Sequence, residues 1–204
     1  MKNKIIWIIT ALSFLVSAVS VNFLPEQIAA HRDFNGTVDR YGSRYEIFNY
    51  SVLILIIAVV FTLISAHLKK SELNSSEEKE AEMKKNNNKV LLVTGICVVL
   101  MQFVMQCVFV FNELASSGRL DFDVEIDSLS VLSLLMGIMF IVIGNIMPKV
   151  KRNDMIGLRT NSSMKNDQIW QKSNRFAGKV MVICGFVTIV SALLFKGMAS
   201  VIIT

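Results

Sequence analysis

The side chains able to support catalysis are few and poorly placed for it. Three cysteines (Cys97, Cys107 and Cys184) and two histidines (His31 and His67) are the obvious candidates for a nucleophile, a proton relay or a soft metal site among 204 residues. All three cysteines fall in strongly apolar runs. They lack both metal-ligand spacing and a neighbouring base, and read as core thiols. His31 and His67 are expected on opposite sides of a membrane and cannot share an ion. No H-E-x-x-H, G-x-S-x-G or phosphate-loop pattern occurs, and no paired Asp or Ser/His pair lies within an apolar run. The sequence therefore predicts no enzyme, no metal and no cofactor.

The polar groups suited to recognition are more telling. Gln102 and Gln106 are four residues apart and Glu113 follows seven further on, near one face of one apolar segment. Polar groups at membrane depth are costly unless they face protein or water. This row is therefore either a helix-to-helix contact or a place where a ligand is sensed. Thr10, Ser13, Ser17 and Ser20 repeat at helical spacing, as do Ser130, Ser133, Gly137 and Gly144. Small residues let helices approach closely and hydroxyls bond across the contact, so both stripes read as packing seams.

These residues need a membrane to position them. The chain is 53% hydrophobic and 18% charged, with mean hydropathy +0.53, against about 25% charged in a soluble domain. A helix needs about 20 mostly apolar residues to cross a hydrocarbon core of about 30 Å. Five stretches qualify: Ile5–Leu24, Ile47–Ala66, Val90–Phe111, Ser128–Ile146 and Phe176–Phe195. Backbone polar groups have no water partner in hydrocarbon, so each must be a helix. Lys2 and Lys4 before an apolar run ending near Ala18-Val19-Ser20 also suit a signal peptide, but the run is long enough to span, and Pro25 is the expected stop. After Lys196-Gly197, the segment Met198–Thr204 is too short for a sixth crossing. The expected fold is an all-α polytopic bundle of five spans with a short apolar C-terminal stub.

Charge sets the orientation. Lys and Arg of short loops mark the cytoplasmic side. Sixteen of the 21 fall at the N-terminus, between spans two and three, and between spans four and five, leaving five for the other side. The N-terminus is thus expected inside. The organisation reads as residues 1–66 (two spans and an outer loop), 67–89 (a charged, solvated and partly helical cytoplasmic linker with Ser75 and Glu78 spaced as a capping box) and 90–204 (three spans and a basic cytoplasmic loop). Acidic residues crowd the outer loops: Glu26, Asp33, Asp39 and Glu46, then Glu113, Asp121, Asp123, Glu125 and Asp127. Such a surface attracts cationic peptides, or is simply solvated. The basic residues hug the membrane, which favours anionic lipid headgroups over nucleic acid as their partners.

The loop between spans four and five has the richest pattern. Pro148 closes span four, Gly157 permits a tight turn, and Ser163 or Asn166 caps a new helix with Asp167 in its first turn. Ile169, Trp170, Ser173, Phe176 and Ala177 then share one face, which suits an interfacial helix with Trp at headgroup level. The loop is either a membrane-surface connector or a platform for a partner.

Asn153…Ile156-Gly-Leu-Arg-Thr160, followed by Met164, Asn166, Trp170, Asn174-Arg175 and Gly178, resembles the signature of the SdpI immunity proteins, bacterial membrane proteins that protect a producer from its own secreted toxic peptide. The first outer loop, Leu24-Pro25…Ile28…His31…Gly36…Asp39-Arg40-Tyr41-Gly42-Ser43, is similar to the small domain of unknown function that precedes that signature in many members. Two departures stand out: Asn161-Ser162-Ser163 replaces the Pro-Trp-Thr that members often carry, and many members have six spans. The resemblance implies a multi-pass protein of the bacterial cytoplasmic membrane that resists an antimicrobial peptide. In the best-known type it also implies a receptor that holds a winged-helix repressor of the ArsR type at the membrane. On this chain, Asn153, Gly157, Arg159, Thr160, Trp170 and Arg175 would serve the repressor. Gln102, Gln106 and Glu113, with the outer-loop residues His31, Gly36, Asp39, Tyr41 and Gly42, would serve the peptide. The alternative is a small permease or peptide-exporter subunit with a wet cavity lined by Gln102 and Gln106.

Overall fold

The computed structural model describes residues 2–33, 37–75, 77–119, 125–153 and 156–195; Gly36 and the apolar C-terminal stub lie outside them. The chain order is α1 (Lys2–Ser20), β1 (Gln27–Arg32), β2 (Val38–Ser43), α2 (Phe48–Leu73), α3 (Glu78–Ser116), α4 (Ser128–Ile146) and α5 (Asp167–Leu194). Single 3₁₀ turns, Arg44–Ile47 and Met147–Lys149, precede α2 and follow α4. All five helices are long and apolar enough to cross a membrane.

Helices α1, α2 and α3 pack against one another; α3 also touches α4, and α4 pairs most extensively with α5. The first group closes around Ile6, Ile9, Ile54, Ala58, Leu92 and Val99. Outward-facing residues such as Ile8, Leu15, Ile56, Leu63, Phe176 and Ile183 are exposed, as expected where the solvent is lipid.

The α4–α5 pair is built on glycine. A Cβ on Gly137 would come within 2.7 Å of the Gly185 carbonyl oxygen, and one on Gly144 within 2.7 Å of that of Gly178. The reverse contacts are 2.6 Å. Two glycines seven residues apart on each helix thus let antiparallel backbones touch. The seam expected at Ser133, Gly137 and Gly144 is buried here, whereas Ser130 lies at the helix start and donates to the capping Asp127 Oδ2 at 2.6 Å.

Two features depart from the sequence reading. The first outer loop contains an antiparallel hairpin, pairing Gln27 with Ser43 and Arg32 with Val38 around an irregular register. Its strands follow no alternation of polar and apolar residues, so periodicity does not reveal it. The second is the cap of α3: the charged stretch 67–89 is helical to Leu73 and again from Glu78, in keeping with a partly helical connector, but its cap is not the expected one. Ser75 Oγ donates back to the Ser71 carbonyl rather than capping α3, and Glu77 occupies the cap position. At 39 residues, α3 is about 58 Å long at 1.5 Å per residue, so it must project well beyond the hydrocarbon.

Candidate functional site

Three places gather the residues singled out in the sequence. The first lies inside the bundle. Gln106 is 0% exposed and bridges α1, α2 and α3. Ser13 Oγ donates to its Oε1 at 2.6 Å, and its Nε2 donates to the Ser13 carbonyl at 3.0 Å and to Ser17 Oγ at 2.9 Å. Ser51 Oγ lies 2.8 Å from both Ser13 Oγ and Ser17 Oγ. A serine has one proton; since Ser13 gives its own to Gln106, Ser51 must donate to Ser13. The result is a polar knot with Gln106, Ser13, Ser17 and Ser51 all fully buried. Gln102, one turn away, is half-buried and makes no side-chain hydrogen bond among the described residues. The sequence flagged Gln106 and the serines of α1, but not Ser51, a single hydroxyl at the start of an apolar run.

The second place is the end of the bundle that carries the hairpin. Leu24, Ile28 and Ile47 form a buried cluster with Phe48, Tyr50, Phe109 and Leu114 around it, which seats the hairpin on the ends of α1, α2 and α3. Glu113, 4% exposed, secures it: Oε2 accepts the Ala29 backbone N–H at 3.1 Å, and Arg32 Nη2 stands 3.9 Å from Oε1. Arg32 also reaches Glu125 at 2.9 Å. Glu113 thus lies far from Gln106 in role as well as depth, one tying strand to helix and the other helix to helix.

On the hairpin surface, His31 Nδ1 and Asp39 Oδ1 are 2.6 Å apart, and Tyr41 is exposed. Arg40 forks onto Glu46 at 2.9 and 3.3 Å; that hydrogen bond and the carboxylate's charge raise the guanidinium above its ordinary pKa. Any side chain at Gly42 would run into the Glu46 carboxylate and Ala30, so glycine is what lets Glu46 fold back to Arg40. Between hairpin and helices opens a groove of about 230 Å³ lined by Ile28, Arg40, Glu46, Tyr50, Leu53 and Phe109, among others. It combines an aromatic wall with an ion pair.

The third place is the loop between α4 and α5, whose polar side chains turn inward to hold its backbone. Trp170 is 1% exposed, packed with Val90 and Val150, and its Nε1 donates to the Val150 carbonyl at 2.8 Å. Asn174 is fully buried: Oδ1 accepts the Leu158 N–H at 2.8 Å, and Nδ2 donates to the Trp170 carbonyl at 3.0 Å. Gly157 has φ +119°, a conformation that suits glycine, and a Cβ there would strike Trp170 and Asn174. Asn153 braces Lys151 and Ile156, Ser163 closes a turn with Leu158 and Thr160, and Asn166 caps α5 as expected. Asn86 and Glu82 of α3 reach Lys149 and Lys151 at 2.9 and 2.8 Å.

The helix α5 therefore does not display Trp170 beside Phe176. Trp170 faces the loop, while Phe176 is 67% exposed on the outer surface. Of the six loop residues considered for a partner, Trp170 and Asn153 are buried and Gly157 half-buried, while Arg159, Thr160 and Arg175 are exposed. The sequence underweighted Asn174 and Ser163, since an Asn or Ser in a polar loop carries no mark of burial. Among the described residues, no group of three His, Cys, Asp or Glu side chains is placed to hold a metal ion.

Five spanning helices, a docked hairpin at one end and a braced basic loop at the other define a multi-pass membrane helix bundle. The two ends coincide with known sequence families. The SdpI/YfhL protein family model matches residues 149–204, and a domain of unknown function (DUF1648) matches residues 8–55. Immunity protein SdpI of Bacillus subtilis (strain 168) is 30% identical over 186 residues, covering 91% of this chain and 79% of that protein. No solved structure matches. The chain belongs to the SdpI family and is a multi-pass cell-membrane protein.

Proposed function

We propose that this protein confers immunity to a toxic peptide, and that it does so by binding rather than by catalysis. The observation that carries this reading is the likeness to an immunity protein along nine-tenths of the chain. In this reading the hairpin end faces outward, following the lysine and arginine bias. Over residues 25–46 and 113–127 it carries nine carboxylates against four arginines, which attracts a cationic peptide. The groove beside Tyr50 and Phe109 is where an apolar peptide face would be sensed, while His31, Asp39 and Tyr41 are exposed elsewhere on the hairpin. A permease needs a wet polar path; Gln106 is fully buried among serines, which favours binding over transport.

The test is expression in a sensitive bacterium, with membrane levels verified, followed by challenge with the secreted peptide of the producing strain. Survival is expected; killing equal to that of the empty-vector strain would remove the immunity reading. Protection that persists after collapse of the membrane gradient favours binding over export.

Signalling is the finer part of the proposal. The basic loop would hold a winged-helix repressor of the ArsR type, with Arg159, Thr160 and Arg175 as contacts because their side chains are exposed on a pinned backbone. The peptide must then bind one conformation better than the other, or nothing is transmitted. Arg159→Ala with Arg175→Ala is expected to abolish co-sedimentation of an ArsR-type repressor with membranes while preserving insertion; unchanged recruitment would remove the platform. Trp170→Ala is a poor substitute, since it empties the space beneath the loop.

A further inference from the structure

At the basic end, a groove of about 400 Å³ runs between the start of α3, the 3₁₀ turn after α4 and the first turns of α5. Its depth relative to the membrane follows from the helices. The 19 residues of α4 rise about 28 Å, close to the hydrocarbon thickness of about 30 Å, so Pro148 and Lys149 emerge where headgroups begin. Met83, on the α3 wall, is seven residues before Val90, where the apolar run starts, and lies about 10 Å beyond it. The groove therefore opens at headgroup level.

Its lining is chemically divided. Met83, Pro148, Val150 and Trp170 form the apolar part. Lys149, Lys151 and Arg152 contribute three cations against one lining carboxylate, Asp167. Arg152 Nε holds Asp167 at 2.9 Å, and Lys151 is engaged by Glu82 at 2.8 Å. Both pairs are exposed, and exposed pairs are weak and exchangeable. Lys149 is exposed with no carboxylate partner among the described residues. The first turn of α5 lines the same space, and a helix N-terminus carries a partial positive charge.

We infer that this groove is a binding site for one anionic phospholipid, its phosphate held by Lys149, Lys151 and Arg152 and the start of its chains lying against Met83 and Pro148. The occupant has to be both anionic and partly apolar, and has to reach the site from the plane of the membrane. A lipid meets all three requirements, while a free phosphate leaves the apolar wall uncovered.

The experiment uses the full-length protein in a neutral detergent, with retained lipid counted by native mass spectrometry. Phosphatidylglycerol is expected to be retained over phosphatidylcholine at the same mole fraction; equal retention would overturn the site. Lys149→Gln, which removes no ion pair, is expected to weaken retention about fivefold, the worth of one basic side chain at an anionic surface. Adding Gln171→Glu, on the opposite wall, places a like charge beside the phosphate and deepens the loss beyond tenfold without cutting a brace of the loop. Lys172→Gln, outside the groove, is the control; a loss equal to that of Lys149→Gln would show a diffuse surface effect and overturn the site. Inorganic phosphate at millimolar concentration is expected to leave the lipid bound, and displacement by it would reassign the groove to free phosphate.

Discussion

The two helical groups of this bundle meet the same difficulty by different means. Lipid is as apolar as leucine, so helices gain little by hiding apolar faces from it. In α1–α3 the solution is polar: Gln106 and three serines exchange hydrogen bonds where no water competes. In α4–α5 the solution is steric: paired glycines bring the backbones into contact, so dispersion acts along the whole interface. The first solution tolerates imperfection, because a hydroxyl that loses one partner finds another nearby. The second does not, because the obstructing atoms are backbone carbonyls that cannot swing aside.

This contrast has measurable consequences. Gly178→Leu drives a side chain into the Gly144 carbonyl and Pro148, and overpacking against backbone is expected to cost about 3 kcal/mol, the upper end of the usual range. Thermal unfolding in detergent is expected to show a large loss, with α4–α5 separation seen as new protease sensitivity; a near-neutral result would mean the glycine contact is incidental. Gln106→Leu removes the centre of the knot but leaves the serines to one another, so a smaller loss of about 1–2 kcal/mol is expected, near the upper range for intramembrane hydrogen bonds. If it matched Gly178→Leu, the two seams would not differ in kind. Smallest of all is Ser51→Ala. Gln106 keeps Ser13 and Ser17, so about 0.5–1 kcal/mol is expected; a larger figure would make Ser51 rather than Gln106 the centre.

The two ends differ in another way. The hairpin end keeps much of its chemistry accessible, with His31, Asp39 and Tyr41 exposed and Arg40 lining the groove beside the helices. The basic loop spends Asn153, Ser163, Trp170 and Asn174 on its own backbone and leaves its cations exposed. That distinction was invisible in the sequence, where Asn153, Trp170 and Asn174 look as available as Arg159. The Glu113–Arg32 contact was equally hidden, since nothing in a linear pattern pairs two charges 81 residues apart.

What could be read from residue order was whatever arises from local composition: five apolar runs, their helical state, the Asn166 and Pro148 boundaries, and the small-residue stripe containing Gly137 and Gly144. Hydrocarbon forces these outcomes one segment at a time, because an unpaired peptide group has no other partner there. Which stripe meets which, whether Gln106 faces protein or water, and whether Trp170 lies outside or beneath its loop depend on segments far apart in the chain. Those are matters of close approach between surfaces. They are settled by a few tenths of an ångström at contacts such as Gly144 against Gly178, a scale on which sequence spacing carries no information.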